Sequence, residues 1–140
     1  MYAPTPTRIE ASPTQKRFTA YGKGYLVFDG QTIRETVFIT PDGVLEPIAI
    51  SPDPAALTPD DLAHLAKKAA GAEILLLGTG DKPLHFPPQL LAPLLQQGFG
   101  LEIMTTIHAC RAYNFLVDEG RKTAALVLVL RTAIEEPTQQ

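Results

Sequence analysis

The stretch Ile74-Leu75-Leu76-Leu77-Gly78-Thr79-Gly80-Asp81 decides how this chain is read. A short unbroken apolar run bounded by turn formers suits a strand covered on both faces, the position that strands take in a parallel sheet. Working upstream, Thr58 suits a helix N-cap, with Pro59 in the first turn, Asp60 and Asp61 at its positive end, Lys67 and Lys68 near its close and Gly71 just beyond. The apolar face of that helix is Leu62, Leu65, Ala66 and Ala69. Downstream, Leu90, Leu91, Leu94 and Leu95 recur at helical spacing in a segment that starts at Pro87 or Pro88 and ends before Gly98. Leu101–Met104 reads as a strand, Thr106–Glu119 as a helix closed by Gly120, and Thr123–Leu130 as a last, strongly apolar strand. The order αβαβαβ predicts a sheet with parallel members and helices packed on it.

The first half of the chain has a different character. Tyr25-Leu26-Val27-Phe28 runs into Asp29-Gly30, a dipeptide suited to a tight hairpin turn, and Ile33–Thr40 resumes with extended-chain residues. Asp42-Gly43 marks another turn, so an antiparallel β meander is expected from Arg17 to about Ile50. Ser51-Pro52-Asp53-Pro54 ends it, because each proline removes a ladder donor. The fold class expected is α/β: a three-layer domain with a mixed central sheet, helices and an additional N-terminal antiparallel meander. Residues 1–16 are too polar and proline-rich to bury apolar surface and read as a flexible tail, as do 135–140, leaving a single domain at 17–134.

The chain's 140 residues suffice for one core, with 45% hydrophobic and 19% charged residues, near the averages for globular proteins. Twelve basic against fifteen acidic side chains give a net charge of -3. That balance offers no footprint for nucleic acid and no polybasic membrane anchor. Cys110 is the single cysteine, so neither an intrachain disulfide nor a cysteine-based zinc cluster can form, and a reducing, cytoplasmic compartment is expected. The first sixteen residues lack the apolar centre of a secretory signal. The longest apolar run, Ala124–Leu130, is far short of the roughly 20 residues that cross a bilayer, so no membrane insertion is expected.

Ligands of open sheets with parallel strands usually sit beyond the carboxyl ends of the strands. Two segments should meet there: Gly78-Thr79-Gly80, which follows one strand, and Thr105-Thr106, which leads into the third helix. Together they could form a small site for an anion or a carbonyl oxygen. Taken singly, a glycine pair after a strand is more often a plain turn, and a threonine before a helix more often a cap. Pro83 and Leu84 stand where a dinucleotide fingerprint needs a third glycine and a helix, and there is no phosphate-loop motif, so no nucleotide cofactor is expected. On the third helix, Cys110, Arg111 and Asn114 can share a face. Arg111 and the helix N-terminus would favour a thiolate at Cys110, yet free cysteine is more often a buried apolar filler. His108 points about 200° around the helix from Cys110, which supplies neither a base nor a metal pair. No metal site is expected. Tyr113, Phe115, Leu116 and Val117 read as core, with any exposed remainder of that face supporting protein association.

The run Ile74–Gly80, then Phe86-Pro87, then Gly98-Phe99-Gly100-Leu101-Glu102-Ile103-Met104-Thr105-Thr106, then Ala109-Cys110-Arg111-Ala112-Tyr113-Asn114-Phe115-Leu116, resembles the small Mth-type domain family. The resemblance extends over about Arg17–Leu130, with its specific motifs in the second half; His108 and Ala112 depart from the small-residue and threonine choices commonest there. It implies a mixed sheet covered by helices on one side and by a helix plus additional β structure on the other. It implies no assigned catalytic set. Relatives in that family include bacterial and archaeal proteins of undefined activity, an adipocyte-associated protein and a mitochondrial assembly factor for respiratory complex I, which points to protein partners.

Two functional readings follow. The first is a non-catalytic protein-interaction or assembly domain with an as yet unnamed protein partner, because no catalytic constellation is complete. The second is a small anionic-metabolite binding protein or enzyme with its site at the carboxyl ends of the parallel strands, formed by Gly78, Thr79, Gly80, Thr105 and Thr106, with Arg111 or Asn114 orienting the anionic ligand.

Overall fold

The computed structural model describes residues 7–8, 16–50 and 53–129. The strands are β1 (Thr7–Arg8), β2 (Phe18–Gly22), β3 (Tyr25–Phe28), β4 (Gln31–Ile33), β5 (Val37–Ile39), β6 (Leu45–Pro47), β7 (Ile74–Gly78), β8 (Gly100–Met104) and β9 (Thr123–Val127). The helices are α1 (Pro59–Lys68), α2 (Pro88–Leu95) and α3 (Thr106–Asp118). Thr58 caps α1 in the expected way, within a reciprocal box: its hydroxyl accepts from the Asp61 amide while the Asp61 carboxylate accepts from the Thr58 amide.

The main sheet has the order β6-β5-β9-β7-β8. β7 lies between β8 and β9 and is parallel to both, with Leu76 opposite Glu102 on one side and Ala125 on the other. Because β7 and β9 are central, their apolar runs are covered on both faces. Leu75, Leu77, Ala124 and Leu126 pack with Leu62, Leu65 and Leu94 of α1 and α2, whereas Leu76, Ala125 and Val127 pack with Cys110 and Tyr113 of α3. On the α3 side the core continues into Phe18, Leu26, Phe28 and Ile33 of a smaller antiparallel sheet, β1-β2-β3-β4. The helix-plus-β covering implied by the family resemblance is therefore present.

The meander expected over Arg17–Ile50 is divided between the two sheets. Asp29 and Gly30, at φ 51° and 81°, close the β3–β4 hairpin, but the chain then leaves for the main sheet. Val37, Phe38 and Ile39 are buried on both faces, which a two-sided strand achieves only inside a covered sheet, and they pair antiparallel with Val127, Leu126 and Ala125. The tail expected at 135–140 lies outside the described residues. So does most of 1–16, except Lys16 and Thr7–Arg8, the latter paired antiparallel with β2. No helix among the described residues is long and apolar enough to cross a membrane.

Candidate functional site at the strand ends and on the third helix

The loop after β7 and the start of α3 lie side by side. The Thr106 amide donates to the Gly80 carbonyl at 2.9 Å, and the Gly80 amide donates to the Thr106 hydroxyl at 2.8 Å. That hydroxyl in turn donates to the Leu128 carbonyl at 2.8 Å, so its usual hydrogen-bonding capacity is largely used inside the protein. The contact is close because Gly78 has no side chain: a Cβ there would lie 3.0 Å from both the Cα and the Oγ1 of Thr106. The buried Thr79 hydroxyl lies 2.7 Å from the Lys82 carbonyl and 3.2 Å from the Met104 carbonyl. Thr105 makes no side-chain cap; its hydroxyl meets His108 Nδ1 at 3.1 Å.

Beside these residues is a cleft of about 40 Å³, bordered by Gly22, Tyr25, Gly80, Asp81, Thr106 and Ile107 among others. It has room for a water or two, well below the roughly 300 Å³ at which small-molecule pockets begin. A larger open groove of about 340 Å³ lies between the β5–β6 turn and α3, lined by Lys16, Pro41, Asp42, Gly43, Tyr113 and Val117. Burial pushes the Tyr113 hydroxyl up to about 12, against a small opposing effect of Arg17, so it stays protonated at neutral pH.

The polar residues of α3 turn toward β2. Asn114, 4% exposed, receives the Phe18 amide on Oδ1 at 2.9 Å and donates Nδ2 to the Phe18 carbonyl at 2.7 Å. It thereby substitutes for a neighbouring strand at the irregularity between Phe18 and Ala20. One turn on, Asp118 pairs with buried Arg17, whose hydrogen bond holds the Asp118 carboxyl below the usual range. One turn back, Arg111 donates to the Tyr21 hydroxyl at 2.9 Å and lies over its ring. Arg111, Asn114 and Asp118 thus form a stripe that fastens the small sheet to α3. Cys110 is fully buried, and loss of solvent pushes its thiol up, the direction opposite to activation. The fold gives it a packing position among Phe18, Tyr113 and Val127.

Sequence reasoning missed this fastening role. Spacing placed Arg111 and Asn114 on one face, and Asp118 completes the i, i+3, i+7 pattern; Phe18 and Tyr21 of β2 are what lies opposite. The outward side of α3 exposes Phe115 at 64% and Ile107 at 37%.

With this geometry in view, residues 18–128 match the family described as Protein of unknown function (DUF498/DUF598). The chain belongs to that family. A Bordetella parapertussis protein known from a crystal structure is 34% identical, with a TM-score of 0.71 over 84% of this chain and 100% of that one. A Bordetella pertussis protein described as a Mth938-like domain is 27% identical, with a TM-score of 0.67 over 88% of this chain and 92% of that one. The Mth-type resemblance read from the motifs therefore holds. NADH dehydrogenase [ubiquinone] 1 alpha subcomplex assembly factor 3 of Xenopus tropicalis is 28% identical over 134 residues, 95% of this chain and 72% of that protein. The same-named mouse protein aligns over 56 residues, and this chain spans 30% of its length.

Proposed function

We propose that this DUF498-family chain is a non-catalytic protein-interaction domain of the assembly-factor kind. The observation that carries the reading is the outward face of α3, where Phe115 is 64% exposed. An aromatic side chain left in water on the outward face of a helix is the kind of anchor that protein interfaces bury. The frog relative named as an assembly factor supports the same direction. The engaged Thr79, Thr106 and Asn114 side chains and the small cleft favour it over the small-molecule reading. On this proposal the domain works in the cytoplasm, with Cys110 reduced and enclosed.

The test is a photo-crosslinking residue in place of Phe115 in the full chain inside its host cell, followed by identification of the adduct, and the variant Phe115→Ser in a parallel affinity capture. One stoichiometric partner, lost in Phe115→Ser while thermal stability changes by no more than about 0.5 kcal/mol, is expected. Failure to recover any protein in stoichiometric amount, or undiminished capture by Phe115→Ser, would overturn the reading.

A further inference from the structure

The main sheet ends differently at its two sides. At one edge, β6 has three residues, includes Pro47, which has no amide to offer, and holds Glu46 in an ion pair with Lys68 at 2.5 Å. At the other edge, β8 has five residues and, among the described residues, pairs with β7 alone. The Gly100 amide donates to Glu73 and the Met104 carbonyl accepts from Thr79, both on the β7 side. By the alternation of a parallel ladder, the amides and carbonyls of Leu101 and Ile103 therefore face away from the sheet. Glu102 is exposed, stands between them, and has no hydrogen-bond or ion-pair partner among the described residues.

The helix α2 on one face of β8 is also unusually apolar where it meets solvent. α2, Pro-Gln-Leu-Leu-Ala-Pro-Leu-Leu, carries no charge, and of its residues only Leu94 is fully enclosed; Leu95 is 55% exposed. α3 packs against β8 from the other face. A chain laid along β8 would thus meet outward-facing backbone groups in the plane of the sheet, with the uncharged helix α2 on one face.

We propose that the free edge of β8 is a docking site for an extended segment of a protein partner that carries a lysine or arginine opposite Glu102. This rests on the interaction reading above and specifies the partner's chemistry. Charge decides between a foreign strand and a second copy. In the two-fold antiparallel pairing that uses all of β8, Glu102 faces its own counterpart at a position without ladder hydrogen bonds, where side chains are closest. Like charges directly opposite each other destabilise a sheet, whereas opposite charges support it. Glu102 therefore discourages self-pairing and selects a basic residue.

The probes are acetylated, amidated pentapeptides titrated into the isotope-labelled full chain: Thr-Val-Lys-Val-Thr, its central-Glu counterpart, and the lysine peptide N-methylated at both valines, which removes the amides that would reach β8. Amide shifts at Leu101 and Ile103 are expected, with the lysine peptide binding roughly three- to tenfold tighter than the glutamate peptide. The preference reverses in Glu102→Lys, and the N-methylated peptide is silent. No binding, equal affinities, or shifts confined to another surface would overturn the proposal. The crosslinker at position 115 separates the two failures. A partner captured there and unaffected by Glu102→Lys removes the edge-docking inference alone, whereas no captured partner removes the interaction reading itself.

Discussion

Replacing Asn114 by leucine tests whether the polar stripe of α3 is scaffold. Leucine keeps most of the volume and the helix propensity, so the perturbation is concentrated on two hydrogen bonds, at 2.9 Å and 2.7 Å, to the backbone of Phe18. Both Phe18 groups belong to a residue with 0% exposure. Each buried polar group left without a partner costs about 1–3 kcal/mol, so the pair implies a loss of about 2–5 kcal/mol once some relaxation is allowed. For a domain of this size that corresponds to a fall in melting temperature of about 5–15 °C. Urea unfolding followed by far-UV circular dichroism measures the first quantity, and native-state exchange of the Phe18 amide localises it. A loss below about 1 kcal/mol, too little for even one orphaned buried group, would refute the assignment. So would a full loss in which the Phe18 amide stays as protected as before, because the cost would then arise elsewhere.

Three other outcomes are expected. Thr106→Val keeps the shape of the side chain but strands the Gly80 amide and the Leu128 carbonyl, so stability in urea should fall by about 2–4 kcal/mol and exchange at Gly80 should quicken. Cys110 should react with a thiol reagent at pH 8 far more slowly in the folded chain than in urea, because burial both raises its pKa and blocks access; equal rates would contradict its packing position. The folded-state pKa of Asp118 lies below its unfolded value, so its contribution to stability is present above about pH 4 and is lost as pH falls through the folded value. Asp118→Asn should therefore flatten the acid limb of a stability-against-pH curve, and an unchanged limb would show that another carboxylate governs it.

Much of the fold was legible because its signals are local. The Thr58 box, the enclosed run Ile74–Leu77 and the leucine spacing of α2 are each contained within about a dozen residues. The division of the N-terminal meander was not legible, since it depends on Val37 finding Val127, far along the chain. Nothing within Val37-Phe38-Ile39 says which sheet will cover both of its faces. The candidate site was legible to the same depth. The rule for parallel strands brought the β7 loop to the start of α3, but whether the Thr106 hydroxyl faces solvent or Leu128 turns on the approach that Gly78 permits, a tertiary distance that no pattern encodes. For Arg111 and Asn114 the helix repeat gave the shared face and withheld the partner.

The same distances rank the two functional readings energetically. A ligand that used the Thr106 hydroxyl or the Gly80 amide would first have to break bonds already made at 2.8 Å, each costing about 1–3 kcal/mol if left unpaired, and would need space that a cleft of about 40 Å³ does not provide. A strand arriving at β8 breaks no hydrogen bond among the described residues. The outward amides and carbonyls of Leu101 and Ile103 exchange water for a partner's backbone, and Glu102 gains an opposite charge. With the Thr106 and Gly80 groups already bonded and, among the described residues, the outer edge of β8 unpaired, docking along the side of the sheet is the lower-cost of the two proposed modes.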